Sequence, residues 1–334
     1  NINNINETLQ SNLTQKNLAF GIQHQRIWNE KLETYAQVYL SNYNLNALNF
    51  DVINDQRLIQ ENEVYDGGLK LHGKYKLDET LGYFGGYQFS EIGISNLEDV
   101  NNPVFRRLEK EVLRTHSIFN EIGFSSQSKQ TNLRIGIRTN YIEKFSETYF
   151  EPRLSFSQRF LSNFRFEILG ELKSQTTSQI IDLQNDFLGV EKRRWVVSDN
   201  EDIPIIKSKQ FSAGLHYNKS KLLISVEAYI KDVEGITTRS QGFQNQYQFI
   251  NTIGSYRVKG IDFLVNKQIQ NFSTWLSYSI SKNDYTFEDL NLGNEFPNNV
   301  DIRHAIKFGS SLTYNKLKLA VGINWRSGKP FTQP

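Results

Sequence analysis

The chain has no cysteine and no methionine among its 334 residues, only 6 prolines, and no apolar run that could cross a bilayer as a helix. Without cysteine there can be no disulfide framework, no thiolate-bound zinc and no thiol nucleophile. A membrane helix needs roughly 18 or more consecutive apolar residues, and every apolar stretch here is broken well before that. Excess charge is lacking too: 38 Lys and Arg stand against 36 Asp and Glu, a net +2. Nucleic acid is therefore not an expected partner, because a phosphate-binding face needs a clear basic excess. No apolar N-terminal run resembles a signal peptide, and the opening "NINNINETLQ" together with the final Pro334 reads as the edges of a piece of a longer protein.

What the sequence has instead is alternation. In "TNLRIGIRTNY", Leu133, Ile135, Ile137 and Tyr141 fall on one face, and Arg134, Gly136, Arg138 and Asn140 on the other. "NFRFEILGELK" sets Phe164, Phe166, Ile168, Gly170 and Leu172 against Arg165, Glu167, Leu169, Glu171 and Lys173. "QFSAGLHYN", "KLLISVEAYI" and "KLKLAVGINW" repeat the scheme. A period of two is the mark of β-strands with one apolar and one polar face. A period of 3.6 is sustained nowhere, although "EDVNNPVFRRLEKEVL" could hold a turn or two of helix.

Breaks in the alternation come in two kinds. Short ones fall near 28–31, 78–80, 125–130, 162–163, 218–221, 270–272 and 315–316; long polar ones fall near 55–66, 95–110, 143–151, 175–208, 232–255 and 283–301. They alternate, so the chain runs up and down through about fourteen strands, with tight turns gathered at one end of the sheet. A WD40-type propeller would fit four strands into a repeat length that here holds two. A sandwich has no reason to segregate its turns by length. The fold class expected is therefore all-β, a transmembrane up-and-down antiparallel β-barrel. Lipid would cover the apolar face, the charged face would line the interior, and the tight turns would be periplasmic.

The same residues resemble a known family, the TonB-dependent outer-membrane receptors of the Bacteroidetes type. "FPNNVDIRHAIKFGSSLTY" resembles the family's F-P-x-x-x-D-x-R-H segment leading into a late barrel strand, and "INWRSGKPFT" resembles the S-G-[RK]-P-[FY]-T ending of the strand after it. "SKQFSAGLHYN" with "LLISVEAYIKDVEGI", then "GSYRVKGIDFLVNK" with "TWLSYSISKND", are similar to two successive hairpins of that family. "YFEPRLSFSQRF" is similar to its E-P-R-x-S-x-x-Y segment, with Arg159 near the usual tyrosine. Order and spacing match over 150–334; the first half agrees mainly in its rhythm of strands and loops.

The resemblance implies a fragment of a 22-stranded barrel domain, here about fourteen strands with no plug domain. It further implies an active transporter of the Gram-negative outer membrane for a scarce nutrient of the siderophore, cofactor or oligosaccharide class. The expected partners are outer-membrane lipid, a plug from the same full-length chain, the TonB complex, and a small nutrient ligand. The rivals are a passive porin without a plug and a soluble β-rich binding or adhesion protein.

No catalytic set emerges: there is no G-x-S-x-G, no phosphate-cradling glycine loop and no H-E-x-x-H. The five histidines, His24, His72, His116, His216 and His304, are scattered, and His304 in "DIRH" reads better as a strand-end residue than as a metal ligand. Asp301 and Arg303 beside it read as a junction pair. "SDNED" carries acids without EF-hand spacing and reads as solvated loop charge. No cofactor and no enzymatic activity are expected. Arg134, Arg138, Arg165, Glu167, Glu171, Lys318 and Arg326 are expected to line the lumen. In the 175–208 connection Phe187, Arg193, Arg194 and Trp195 are the expected ligand-gathering residues, because aromatic and arginine side chains dominate binding hot spots. The simpler alternative is that Trp195 packs loop against loop.

Overall fold

The computed structural model describes residues 9–182, 192–239, 243 and 250–330. Five long strands come first: β1 (Leu9–Ile27), β2 (Leu32–Asp51), β3 (Gln56–Lys76), β4 (Leu81–Asn101) and β5 (Val104–Ser125). Next are β6 (Thr131–Ile142), β7 (Glu147–Phe160), β8 (Phe164–Gln175), and a short pair, β9 (Thr177–Asp182) and β10 (Lys192–Val197). The remainder comprises β11 (Ile206–Lys219), β12 (Leu222–Thr237), β13 (Ile253–Ile269), β14 (Phe272–Phe287), β15 (Phe296–Pro297), β16 (His304–Tyr314) and β17 (Leu317–Arg326).

Fourteen of these form one continuous antiparallel path, β1 to β8, then β11 to β14, then β16 and β17, each strand beside its neighbour in sequence. β9 and β10 pair only with each other, and β15 adds a short bridge to β14. The sheet follows the barrel wall predicted from the alternation. Among the described residues, β1 and β17 are each paired on one side only.

Register fixes the two faces. Antiparallel partners directly opposite one another share a face, and Leu215, Val226, Phe263 and Tyr278 follow one another across β11 to β14 through such pairs. The row one step nearer the short turns joins Tyr217, Ile224, Val265 and Leu276 in the same way. Leu215, Ile224, Phe263, Val265 and Leu276 are exposed, 38% for Phe263 and 44% for Leu215, and Tyr217, Val226 and Tyr278 are half-buried. On β13 this apolar band is Ile261, Phe263 and Val265, framed by Lys259 and Lys267 on the same face. Those eight residue steps span ~26 Å along the strand, or ~20 Å of height at the usual tilt. That approaches the roughly 25 Å apolar band of outer-membrane barrels. Tyr217, Phe164 and Phe160 pack together at the short-turn end of the outer face, where an interfacial aromatic row belongs.

Seven tight turns close one end, including 28–31, 220–221 and 315–316. Ser220 and Lys221 both take positive φ (50° and 60°), the signature of a two-residue type I′ hairpin. At the opposite end the structure departs from the sequence reading. The polar stretches near 55–66 and 95–110 are strand, and the reversals there occupy only 52–55 and 102–103. The 143–151 stretch likewise turns at 143–146 and is strand from Glu147. β2 to β5 consequently run to 20, 21, 21 and 22 residues. Cross-strand polar pairs hold this extension: Asn62 to Asn96 (2.6 Å), Asn46 to Glu61 (2.8 Å) and Arg57 to Asp99 (3.3 Å). Above the hydrocarbon neither face needs apolar side chains, so the period-two signal fades while the strands continue. The genuinely long connections are 176–205, which carries β9 and β10, together with 238–252 and 288–303.

Phe263 sits mid-band on the outer face between Val226 and Tyr278. Phe263→Arg in the full-length protein is expected to cost about 2–4 kcal/mol of folded barrel in liposomes, the penalty for a lipid-facing charge at the midplane. Ser277→Glu, on the inner face opposite Lys307, should be tolerated. Equal losses for the two variants would invalidate the face assignment.

Candidate functional site: the inner wall and its two caps

By register Arg134, Arg138, Arg165, Glu167, Glu171, Lys318 and Arg326 share the polar face of the sheet, the face opposite the apolar band. Arg138 is the most constrained. Its guanidinium donates to Asn140 Oδ1 (2.8 Å), Ser117 Oγ (2.8 Å) and Gln88 Oε1 (3.2 Å) and stands 5.8 Å from the Phe119 ring. Arg165 approaches Glu167 (3.3 Å), and Glu167 comes within 2.9 Å of His216 Nε2. That imidazole nitrogen nevertheless makes no aligned hydrogen bond, whereas Nδ1 meets Ser225 Oγ at 2.9 Å. Glu171 pairs with Lys173 at 2.8 Å. Arg134 and Glu167 help bound a wide concavity of about 1130 Å³ at the short-turn end, together with Glu33, Lys74 and Glu121. Lys318 and Arg326 stand exposed on β17, opposite Thr313 and Ala305.

Toward the long-connection end two apolar clusters are buried on this otherwise polar face. The first joins Ile94, Leu113 and Ile142 of β4 to β6 to Val197 of β10 and to Ile205. The β9–β10 hairpin folds inward onto the wall to complete it, and Asn96 Nδ2 donates to the Trp195 carbonyl (3.0 Å). Arg194 Nη1 reaches Glu109 Oε2 at 2.7 Å, while Arg107 Nε donates to the other oxygen at 2.9 Å. Burial pushes the Glu109 carboxyl up, but the Arg107 and Arg194 guanidiniums override it and hold the group below the ordinary carboxylate range. At the same height, outside the apolar band, burial and the Glu147 carboxylate push the Tyr149 hydroxyl up to about 12.

Of the four loop residues expected to gather ligand, Trp195 packs half-buried against this cluster and Arg194 is committed to Glu109. The simpler packing role fits Trp195. Phe187 lies outside the described residues; Arg193 lies in β10 opposite Ile181. The neighbouring "SDNED" run is a structured turn, in which Asp199 Oδ1 accepts the backbone N–H groups of Glu201 (2.9 Å) and Ile203 (2.8 Å).

The second cap is aromatic: Val233, Ile236, Phe243, Tyr285, Phe287 and Leu290 are buried together, with Ile206, Tyr256 and Phe296 against them. Strict alternation would send Val233 and Ile236 to opposite faces. A bulge at Gly235, whose φ is +83°, shifts the register between Glu234 and Ile236 and turns both inward. The "FPNNVDIRH" segment is the lid's frame. Phe296 enters the cluster, Asp301 is buried and accepts the Asn283 N–H (2.8 Å), and Arg303 Nε meets Asp301 at 2.9 Å. Asp301 and Arg303 thus form the expected junction pair. The His304 ring lies parallel to Tyr278 and bonds its hydroxyl at 2.9 Å. Among the described residues no group of His, Asp and Glu could hold a metal ion.

Beneath the aromatic cap lies a smaller cavity of about 430 Å³, bounded by Gln210, Tyr229, Lys231, Tyr256, Asn283 and Asn298 among others. Gly260 fixes Tyr229 here: a Cβ on it would come within 2.6 Å of the Tyr229 hydroxyl and 2.7 Å of the Ile280 carbonyl. Sequence reasoning missed this group. Lys231, Asn283 and Asn298 fall in the polar stretches 232–255 and 283–301 or beside them, and only a strand register extended into those stretches brings them to one face.

The family model described as "TonB dependent receptor-like, beta-barrel" matches residues 1–333. No curated protein sequence matches the chain. Its fold is similar to the ferric citrate transporter FecA in its unliganded form, with a TM-score of 0.71 and 8% identity over 95% of this chain and 50% of that one. It is also similar to the RagAB peptide transporter (TM-score 0.67, 11% identity, 97% of this chain and 48% of that one). A third likeness is to BauA, the ferric preacinetobactin receptor from Acinetobacter baumannii (TM-score 0.62, 11% identity, 95% and 53%). The chain spans about half the length of the solved structures it matches.

The Arg194–Glu109 pair is half-exposed, so it is worth no more than about 0.5–1 kcal/mol. Arg194→Ala should therefore speed amide exchange across 192–197 by roughly two- to five-fold, with 206–219 unaffected. Unchanged exchange in β10 would show that the pair does not hold the hairpin to the wall.

Proposed function

The chain belongs to the TonB-dependent receptor-like β-barrel family, and on that premise we propose that it supplies wall and connections to an active outer-membrane importer of a scarce nutrient. The family is one of transporters and receptors of the Gram-negative outer membrane, and the role proposed here is not enzymatic. The observation that carries the reading is the pairing of two asymmetries in one sheet. Apolar side chains are exposed on the outer face and buried on the inner one, and one end has only tight turns whereas the other has three short reversals and all three long connections.

A porin needs a clear, water-filled lumen. Here the inner wall carries two folded caps, the β9–β10 hairpin and the aromatic lid, both at the long-connection end. Such inward-folded connections suit a receptor that shapes a ligand chamber. In the full-length protein, a plug domain and the remaining strands would close the barrel, and the TonB complex would act on the plug to admit the ligand. The charged inner residues, Arg134, Glu167 and Glu171 among them, would face the plug from the short-turn half. The ligand side would be the capped half, with Arg193, Arg194 and Trp195 in β10.

Orientation is the test. With a protease site inserted at Asn200 of the full-length protein, cleavage is expected on intact cells, and a site inserted between Ser220 and Lys221 should resist until the outer membrane is opened. Cutting at the short turn on sealed cells would reverse the topology and remove the proposed ligand-facing side.

A further inference from the structure

We propose that the cavity beneath the aromatic cap is a binding subsite for a hydroxy acid, a carboxylate flanked by hydroxyl donors, with Lys231 as its anion-binding group. The inference rests on the reading of the inner face as a ligand path and assigns that path a chemistry. The cavity of about 430 Å³ falls within the range of small-molecule sites, about 300–1,000 Å³. No acidic residue lines it.

Lys231 projects to the inner face with Gln210 and Val258 as its register partners on either side and Tyr229 two residues before it. Some basic side chains on this wall are matched to acids, as in Lys173 with Glu171 at 2.8 Å and Arg165 with Glu167 at 3.3 Å. Lys231, half-buried, has no carboxylate partner among the described residues. A partly buried ammonium with three donors and no counter-ion, set among amides, is a place for an anion.

Asn283 supplies the second, independent observation. Its backbone is fully engaged: the N–H donates to Asp301 Oδ1 (2.8 Å) and the carbonyl accepts from the Asn298 N–H (2.9 Å). Its side-chain Oδ1 is buried and receives no hydrogen bond. Buried carbonyl oxygens are rarely left unpaired, and Asn283 lines the cavity as one of four amides, with Gln210, Asn298 and Asn299. A ligand that brings hydroxyl groups as well as a negative charge matches these amides and the Lys231 ammonium together. A cation would find no acid to meet it, and a hydrocarbon would leave both Lys231 and Asn283 unsatisfied. The remaining walls, Tyr229, Tyr256 and Tyr285, offer ring surface for the carbon skeleton.

The probe is D-glucuronate, compared with its uncharged amide, D-glucuronamide, each titrated calorimetrically into the purified full-length receptor. Glucuronate is expected to bind at least ~10-fold more tightly than glucuronamide, and Lys231→Gln should remove that preference, as loss of one charge-assisted contact implies. Asn283→Leu should weaken both probes alike, since it removes an acceptor and not a charge. Heat-modifiable migration of each variant shows that the barrel is folded. Equal affinity for the two probes, an unchanged preference in Lys231→Gln, or no glucuronate binding at millimolar concentration would overturn the assignment. Such a failure alongside the expected protease pattern would remove the subsite and leave the transporter reading standing; an inverted protease pattern would remove both.

Discussion

The constraint on which the rest depends is the backbone's need for partners where there is no water. In hydrocarbon each unpaired N–H or C=O costs several kcal/mol, so a spanning chain must satisfy all of them itself. A sheet does this strand by strand, and pairing forces successive side chains to opposite sides. The consequences run through the whole molecule. One face can be apolar only if the other is not, tight turns are the shortest way to pair consecutive strands, and the face turned from lipid is free to carry arginine, glutamate and histidine.

Relaxing the constraint explains the other half of the structure. Past the apolar band, β2 to β5 continue as a polar double-sided ribbon held by pairs such as Asn62 with Asn96. The connections, no longer tied to alternation, fold back inside. There they build small conventional cores, one around Leu113 and Ile142, the other around Tyr285 and Phe287, each fully or nearly fully buried. Each such side chain contributes about 1.5–3 kcal/mol on burial, which is enough to fix a connection that would otherwise move freely. The inner wall acquires its shape from these cores, and the cavity next to Lys231 exists because the aromatic lid stands over it.

Legibility in the sequence follows the same division. Where lipid imposes alternation, as in "TNLRIGIRTNY" or "KLKLAVGINW", strand, face and turn could all be read, and the inner placement of Arg134, Arg138 and Glu171 followed from parity. Outside the lipid band the rule no longer holds. "QRLIQENEVYDG" looked like loop because its polarity, though genuine, belongs to strand. The bulge at Gly235 could not be inferred from a glycine alone, yet it decides that Ile236 packs inside. Trp195 and Arg194 drew attention by residue type, but their partners, the β4–β6 wall and Glu109, lie some 85 residues away in sequence for the ion pair. Distances of that kind are set by folding back across the lumen, and no local pattern records them. Lys231 and Asn283 escaped notice for the same reason.

The central claim is that alternate residues of each strand meet lipid. Nitroxide labels placed singly at each position from 259 to 267 of β13 in the reconstituted full-length protein measure it directly, through collisions with oxygen dissolved in lipid and with a water-soluble nickel complex. The account predicts oxygen accessibility peaking at 261, 263 and 265, with low values at 260, 262 and 264. A flat profile, or one with its maxima on the even positions, would contradict it.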